Sequence, residues 1–127
     1  MIESDLVRQS LLGITAAVFV LIAIKAFVYP SKLASSLGYQ LSAPNGYSEM
    51  YAVYVGVWVA TAILAVVSML RVREALFGDL LAILVLSQPA ARLLALFKWG
   101  SPKGNLFKML ILEAVGGVAL LLVRPSS

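Results

Sequence analysis

Arg92 and Glu113 are the residues whose type and position invite a chemical reading, because each interrupts a long apolar run. An ionisable side chain at the centre of a membrane-embedded helix costs roughly 2.5 to 3.5 kcal/mol, so it normally faces a partner or a cavity. Arg92 precedes Lys98 by six residues and Glu113 follows Lys108 by five. On antiparallel helices these spacings put the two groups about 9 and about 7.5 Å below one surface, at matching depth. Glu49 opens the second apolar run near the same surface, and Lys25 lies about 7.5 Å from Pro30, where the first run closes. A guanidinium carries five donors in a planar fork and can serve two carboxylates. The pattern therefore predicts Arg92 bridging Glu113 and Glu49, with Lys25 joining them or snorkelling to the surface. Gln88 lies one turn before Arg92 on the same face, and Pro89 leaves a nearby carbonyl without its usual partner. Three uses fit such residues: a polar cluster that fixes helix register, a site for a small solute or lipid headgroup, or a proton relay.

Other chemistries are excluded by absent residue types. The chain has no cysteine and no histidine, which removes disulfides, thiolate metal sites, histidine-ligated haem, most catalytic zinc sites and the commonest general base. There is no glycine-rich phosphate loop, nucleophile elbow or metal-ligand spacing, so neither a cofactor nor a metal is expected. The net charge of +4 comes from ten basic residues with no basic block. Such scattered charges do not track a nucleic-acid backbone and suit interfacial anchoring among lipid headgroups instead.

The elements that must carry these residues follow from composition. Of 127 residues, 61% are apolar and 13% charged, against roughly 45 to 50% and about 25% in soluble domains; lipid rather than water must cover this surface. A spanning helix needs about 20 mainly apolar residues, and runs at 10–29, 50–70, 75–97 and 105–123 supply four. They predict one all-α transmembrane domain over 1–127, a four-helix bundle in antiparallel up-down-up-down order with both termini on the same side. The connection 30–48 is turn-rich, and 31–37 suits a short interfacial helix. Trp99 and the tyrosines at 29, 39, 47 and 51 suit an aromatic belt. Small residues at helical spacing, Gly13 with Ala17, Gly56 with Ala60 and Ala91 with Ala95, permit close helix approach, while Gly116 and Gly117 either do the same or leave room for a lipid chain. Ala34 and Ser36 offer a cleavage-like spacing, but the acidic Glu3 and Asp5 make a poor leader, so the first run reads as a retained span.

Antiparallel spans sort the charges onto two sides. Side A carries Glu3, Asp5, Arg8, Arg71, Arg73, Glu74, Asp79 and Arg124; side B carries Lys25, Lys32, Glu49, Arg92, Lys98, Lys103, Lys108 and Glu113. Setting aside the embedded Lys25 and Arg92 leaves four basic residues on each side, so the positive-inside rule gives a tie. Asp79, one turn inside side A, is expected to pair with Arg71, Arg73 or Arg124.

The second run opens Glu49, Met50, Tyr51, Ala52, Val53, Tyr54, Val55, Gly56; the third and fourth give Ala91, Arg92, then Trp99, Gly100, Ser101, Pro102, and later Glu113. This pattern resembles an uncharacterised bacterial family of four-span membrane proteins, a domain of unknown function similar in outline to the DoxX-like proteins. The matching positions are Glu49, Tyr54, Gly56, Arg92, Gly100, Pro102 and Glu113. The chain departs from the family pattern at Tyr51, Val55, Ala91 and Trp99. The resemblance implies a bacterial inner-membrane location and adds Tyr54 to the candidate site, but it brings no activity with it.

Two functional readings follow. The first is a non-enzymatic accessory or assembly subunit of a larger membrane complex, whose cluster is structural or holds a small ligand or lipid headgroup. The second is a small transporter or channel with Glu113 as coupling carboxylate; four short helices make a thin wall, so it requires a homo-oligomer. A lipid-directed enzyme using Glu49 and Glu113 is the weakest, since with Arg92 between them neither is a ready proton donor.

Overall fold

Ser4 starts the first helix. Its backbone is extended and its hydroxyl accepts from the Val7 N–H at 3.2 Å, an N-cap that satisfies one of the orphan donors of the first turn. Helix α1 therefore begins at Asp5 and runs Asp5–Val28, a turn before the apolar run does. The computed structural model describes residues 2–100 and 103–125. After α1 come α2 (Pro30–Ser36), α3 (Asn45–Met50), a π-helical stretch Tyr51–Val57 continuous with α4 (Trp58–Leu70), then α5 (Ala75–Trp99) and α6 (Asn105–Leu122). Pro89 lies inside α5 without ending it. The one extended pairing among the described residues is two residues long: β1 (Ile2–Glu3) lies parallel to β2 (Val123–Arg124), which ties the two ends of the chain together on side A.

Four helical units, Asp5–Val28, Asn45–Leu70, Ala75–Trp99 and Asn105–Leu122, are long and apolar enough to cross a membrane. At 1.5 Å per residue they measure about 27 to 39 Å, which matches a hydrocarbon core of about 30 Å. The outward face is apolar, with Leu21, Leu94, Phe97 and Val115 all exposed, as a surface solvated by lipid requires. Leu12, Ala16, Phe19 and Ala23 line one face of α1 and pack with Trp58, Ala62 and Ala65 of α4, Leu81, Ala82 and Val85 of α5, and Leu120 of α6. Helix α1 lies along α4, α5 lies along α6, and α4 joins the two pairs; α1 and α6 touch only lightly. The fold is thus an all-α bundle with a loose seam between its first and last spans.

Within the apolar spans the hydroxyls turn back on their own helices. Thr15 donates to Leu11 O, Thr61 to Val57 O and Ser68 to Leu64 O, at 2.7 to 2.8 Å, so none needs a partner from a neighbouring helix. Helix α2 does more than lie at the interface. Leu33, Ala34 and Leu37 are buried against Ala26 and Met50, closing the side B end of the bundle. Small residues serve close approach unevenly. A Cβ on Gly13 would meet Met69 Sδ at 3.4 Å, whereas Gly56 and Ala60 are exposed.

Candidate functional site

The antiparallel pairing of α5 and α6 brings Arg92 and Glu113 together as an ion pair, Arg92 Nη1 donating to Glu113 Oε1. Glu113 is buried. With the Gln88 amide nitrogen turned toward it, Gln88 donates to Glu113 Oε2 at 2.8 Å while its oxygen accepts from Trp58 Nε1 at 3.3 Å. The orientation satisfies both partners, and it links α4, α5 and α6 through one polar chain. Trp58 is 1% exposed, with the Tyr54 ring 4.7 Å away on one side and the Phe19 ring 5.1 Å away, edge-on. Tyr54 enters from the π-helical stretch, a distortion that often accompanies functional sites. Tyr39, from the α2–α3 connection, reaches Tyr54; burial, and then that hydrogen bond, push its phenol well above the usual value.

Of the six residues singled out from sequence, four converge: Arg92, Glu113, Gln88 and Tyr54. Two do not. Glu49 is exposed and its carboxylate makes no ion pair among the described residues, so the predicted bridge to Arg92 is absent. The reason is local: Met50, its neighbour, is the residue that turns inward, to the core around α2. Lys25 is likewise exposed, because Ala23 and Ala26 take the inward positions of that turn. The second place beside Glu113 belongs to Gln88, which Trp58 holds in turn. Gly100 takes a φ of 89° where α5 ends, and Ser101 and Pro102 lie outside the described residues.

A cavity of about 230 Å³ occupies the loose α1–α6 seam. Ile14, Val18 and Ile22 form one wall and Met109, Leu112 and Gly116 the other, with Trp58 and Glu113 reached from within. Thr15 and Glu113 are the polar lining side chains. The two fourth-span glycines divide their roles. A Cβ on Gly117 would come within 2.5 Å of Leu86 Cγ, whereas one on Gly116 would meet nothing within 4 Å. Gly117 therefore permits helix packing, and Gly116 leaves open space in the groove.

The opposite end holds a second charged cluster that the sequence reading did not foresee. Arg8 is 0% exposed. Its Nη1 donates to Leu120 O at 2.8 Å and Val123 O at 2.7 Å, and its Nη2 to Ala75 O at 3.1 Å and Asp79 Oδ1 at 3.2 Å. Leu120 O, in the last turn of α6, and Val123 O, just past it, lie at the helix end, where intrahelical donors run out, and a cation is favoured there by the helix dipole. Asp79 also binds Arg124, and that hydrogen bond raises the Arg124 guanidinium above its usual pKa. Arg71 pairs with Glu74 and Arg73 with Asp5 instead. The signal available in the sequence was Gly78 beside Asp79: a Cβ there would lie 2.2 Å from Arg8 Nη2, so only glycine admits the guanidinium.

A four-span all-α bundle with a buried ion pair beside a lateral groove defines a small multi-pass membrane protein. Residues 7–124 match the family model described as a domain of unknown function, DUF4345. The chain belongs to that family. Neither a curated protein nor a solved structure matches it.

Proposed function

We propose that this protein binds a lipid-phase amphiphile in the α1–α6 groove, its apolar chain along the groove and a hydrogen-bond donor, such as a hydroxyl, at Glu113. The observation that carries this reading is the position of Glu113 in the wall of an otherwise apolar groove. Exposed Ile14, Leu112 and Val115 flank it and make it continuous with the lipid-facing surface, so the occupant arrives from the bilayer. A carboxylate only accepts and offers about four lone-pair positions; Arg92 and Gln88 use two, which leaves acceptor capacity for a donor. At about 230 Å³ the space falls short of the roughly 300 to 1,000 Å³ of drug-sized pockets and fits a stretch of chain better than a bulky solute. The apolar lining gives little support to a solute pathway, and the protein is read as a non-enzymatic ligand-binding or accessory component of a membrane.

Trp58 supplies the test, because it lines the groove and the chain has two tryptophans. In a Trp99→Phe background, a brominated long-chain alcohol quenches Trp58 fluorescence saturably. Gly116→Leu fills the groove and abolishes the saturable component, and Glu113→Gln weakens it for the alcohol more than for a brominated alkane of equal length. Linear quenching that is unchanged by Gly116→Leu would refute binding in the groove.

A further inference from the structure

Apart from the embedded Arg92, which pairs with Glu113, lysine and arginine divide between the two ends of the bundle, and the divided residues are used differently. On side A the arginines are committed to partners. Arg71 meets Glu74 and Arg73 meets Asp5, both at 3.2 Å, Arg124 binds Asp79, and Arg8 is withdrawn from the surface altogether. On side B, Lys25, Lys32, Lys98, Lys103 and Lys108 are all exposed, and none is in an ion pair among the described residues. Glu49 is the one exposed carboxylate at that end among the described residues. The Lys32 ammonium lies 5.0 Å from the Tyr29 ring centroid and the Lys98 ammonium 5.0 Å from that of Trp99, so the charges stand at the level of interfacial aromatics.

This arrangement breaks the tie in basic residues. Arg8 leaves the side A count because it is 0% exposed. Lys25 joins the side B count because it is exposed on the last turn of α1. Five lysines then face three arginines, Arg71, Arg73 and Arg124. The rule that orients spans counts basic residues near their ends and gives little weight to acids, so the comparison is one of numbers and not of net charge. An ammonium is a compact charge with three rotatable donors, suited to the phosphates of a headgroup layer that offers no fixed geometry.

We propose that side B is seated on anionic phospholipid headgroups of the cytoplasm-facing leaflet, bound through its lysine collar, with β1 and β2 on the opposite face of the membrane. None of the five lysines lines the α1–α6 groove, so the proposal is independent of the ligand assigned to that groove. Two measurements test it. The chain has no cysteine, so Glu3→Cys and Gln40→Cys each give a single thiol, one per side. In right-side-out vesicles a membrane-impermeant maleimide labels Glu3→Cys at once and Gln40→Cys only after permeabilisation; the reverse order would overturn the orientation. In nanodiscs of equal phosphatidylglycerol and phosphatidylcholine, native mass spectrometry shows phosphatidylglycerol retained preferentially by the parent. Replacing Lys32, Lys98, Lys103 and Lys108 together by Gln lowers that preference by about tenfold or more, since each basic residue near an anionic surface contributes severalfold. Replacing Arg71 and Arg73 by Gln changes it less than about twofold. Equal retention by the lysine variant and the parent would overturn the collar.

Discussion

Arg8 and Arg92 are both guanidiniums carried into an apolar bundle, and they are treated in opposite ways. Arg8 is closed off: four acceptors from α5, α6 and the residue after α6 take its donors, and Gly78 is cut away to admit it. Arg92 has one carboxylate, and that carboxylate also lines the groove. The side A cluster is a clasp that holds the end of α6 and the head of α5 to α1. The side B cluster keeps acceptor capacity next to an opening. A saturated buried charge specifies structure; an incompletely used one beside space is where a ligand can gain.

The comparison is broken or sharpened by substitution, beginning with the largest effect. Arg8→Met keeps most of the volume but leaves three carbonyls and Asp79 short of a donor, and is expected to cost about 3 to 5 kcal/mol in detergent unfolding. Arg92→Met costs less, roughly 2 kcal/mol, because Gln88 still meets Glu113 and the Arg92 side chain is 18% exposed. Equal losses at the two positions would mean that the groove-side cluster is as closed as the clasp. The glycines give a finer contrast. Gly78→Ala drives a methyl into a guanidinium pinned by four hydrogen bonds and should destabilise by about 1 to 3 kcal/mol. Gly116→Ala enters open space and should stabilise by about 0.5 to 1 kcal/mol through helix propensity. A destabilising Gly116→Ala, read by thermal unfolding, would show that the seam closes more tightly than the groove implies.

How far each cluster was legible from sequence depended on what kind of information it needed. Arg92 with Glu113 required only depth, and depth is linear in residue number along a helix. Glu49 shared the end of the bundle and failed on azimuth: the inward position went to Met50, whose burial under α2 depends on how a nineteen-residue connection folds back. Arg8 was hidden for a related reason. It sits where an N-terminal flank would normally be wet, and only the docking of α5 and α6 supplies it with carbonyls. Asp79 found one of its expected partners in Arg124 and an unexpected one in Arg8.

Composition and run length by themselves determined the four spans, the antiparallel order and the exclusion of thiol and histidine chemistry, since spanning a membrane is a demand on every residue in turn and can be read one residue at a time. The tertiary structure alone decided which face of each span turns inward. That choice made Gln88, held in turn by Trp58, a partner of Glu113, opened the seam at Gly116 and withdrew Arg8 from the surface. Each depends on rotation of a helix about its axis, and that rotation is set by side chains of another helix, far away in sequence.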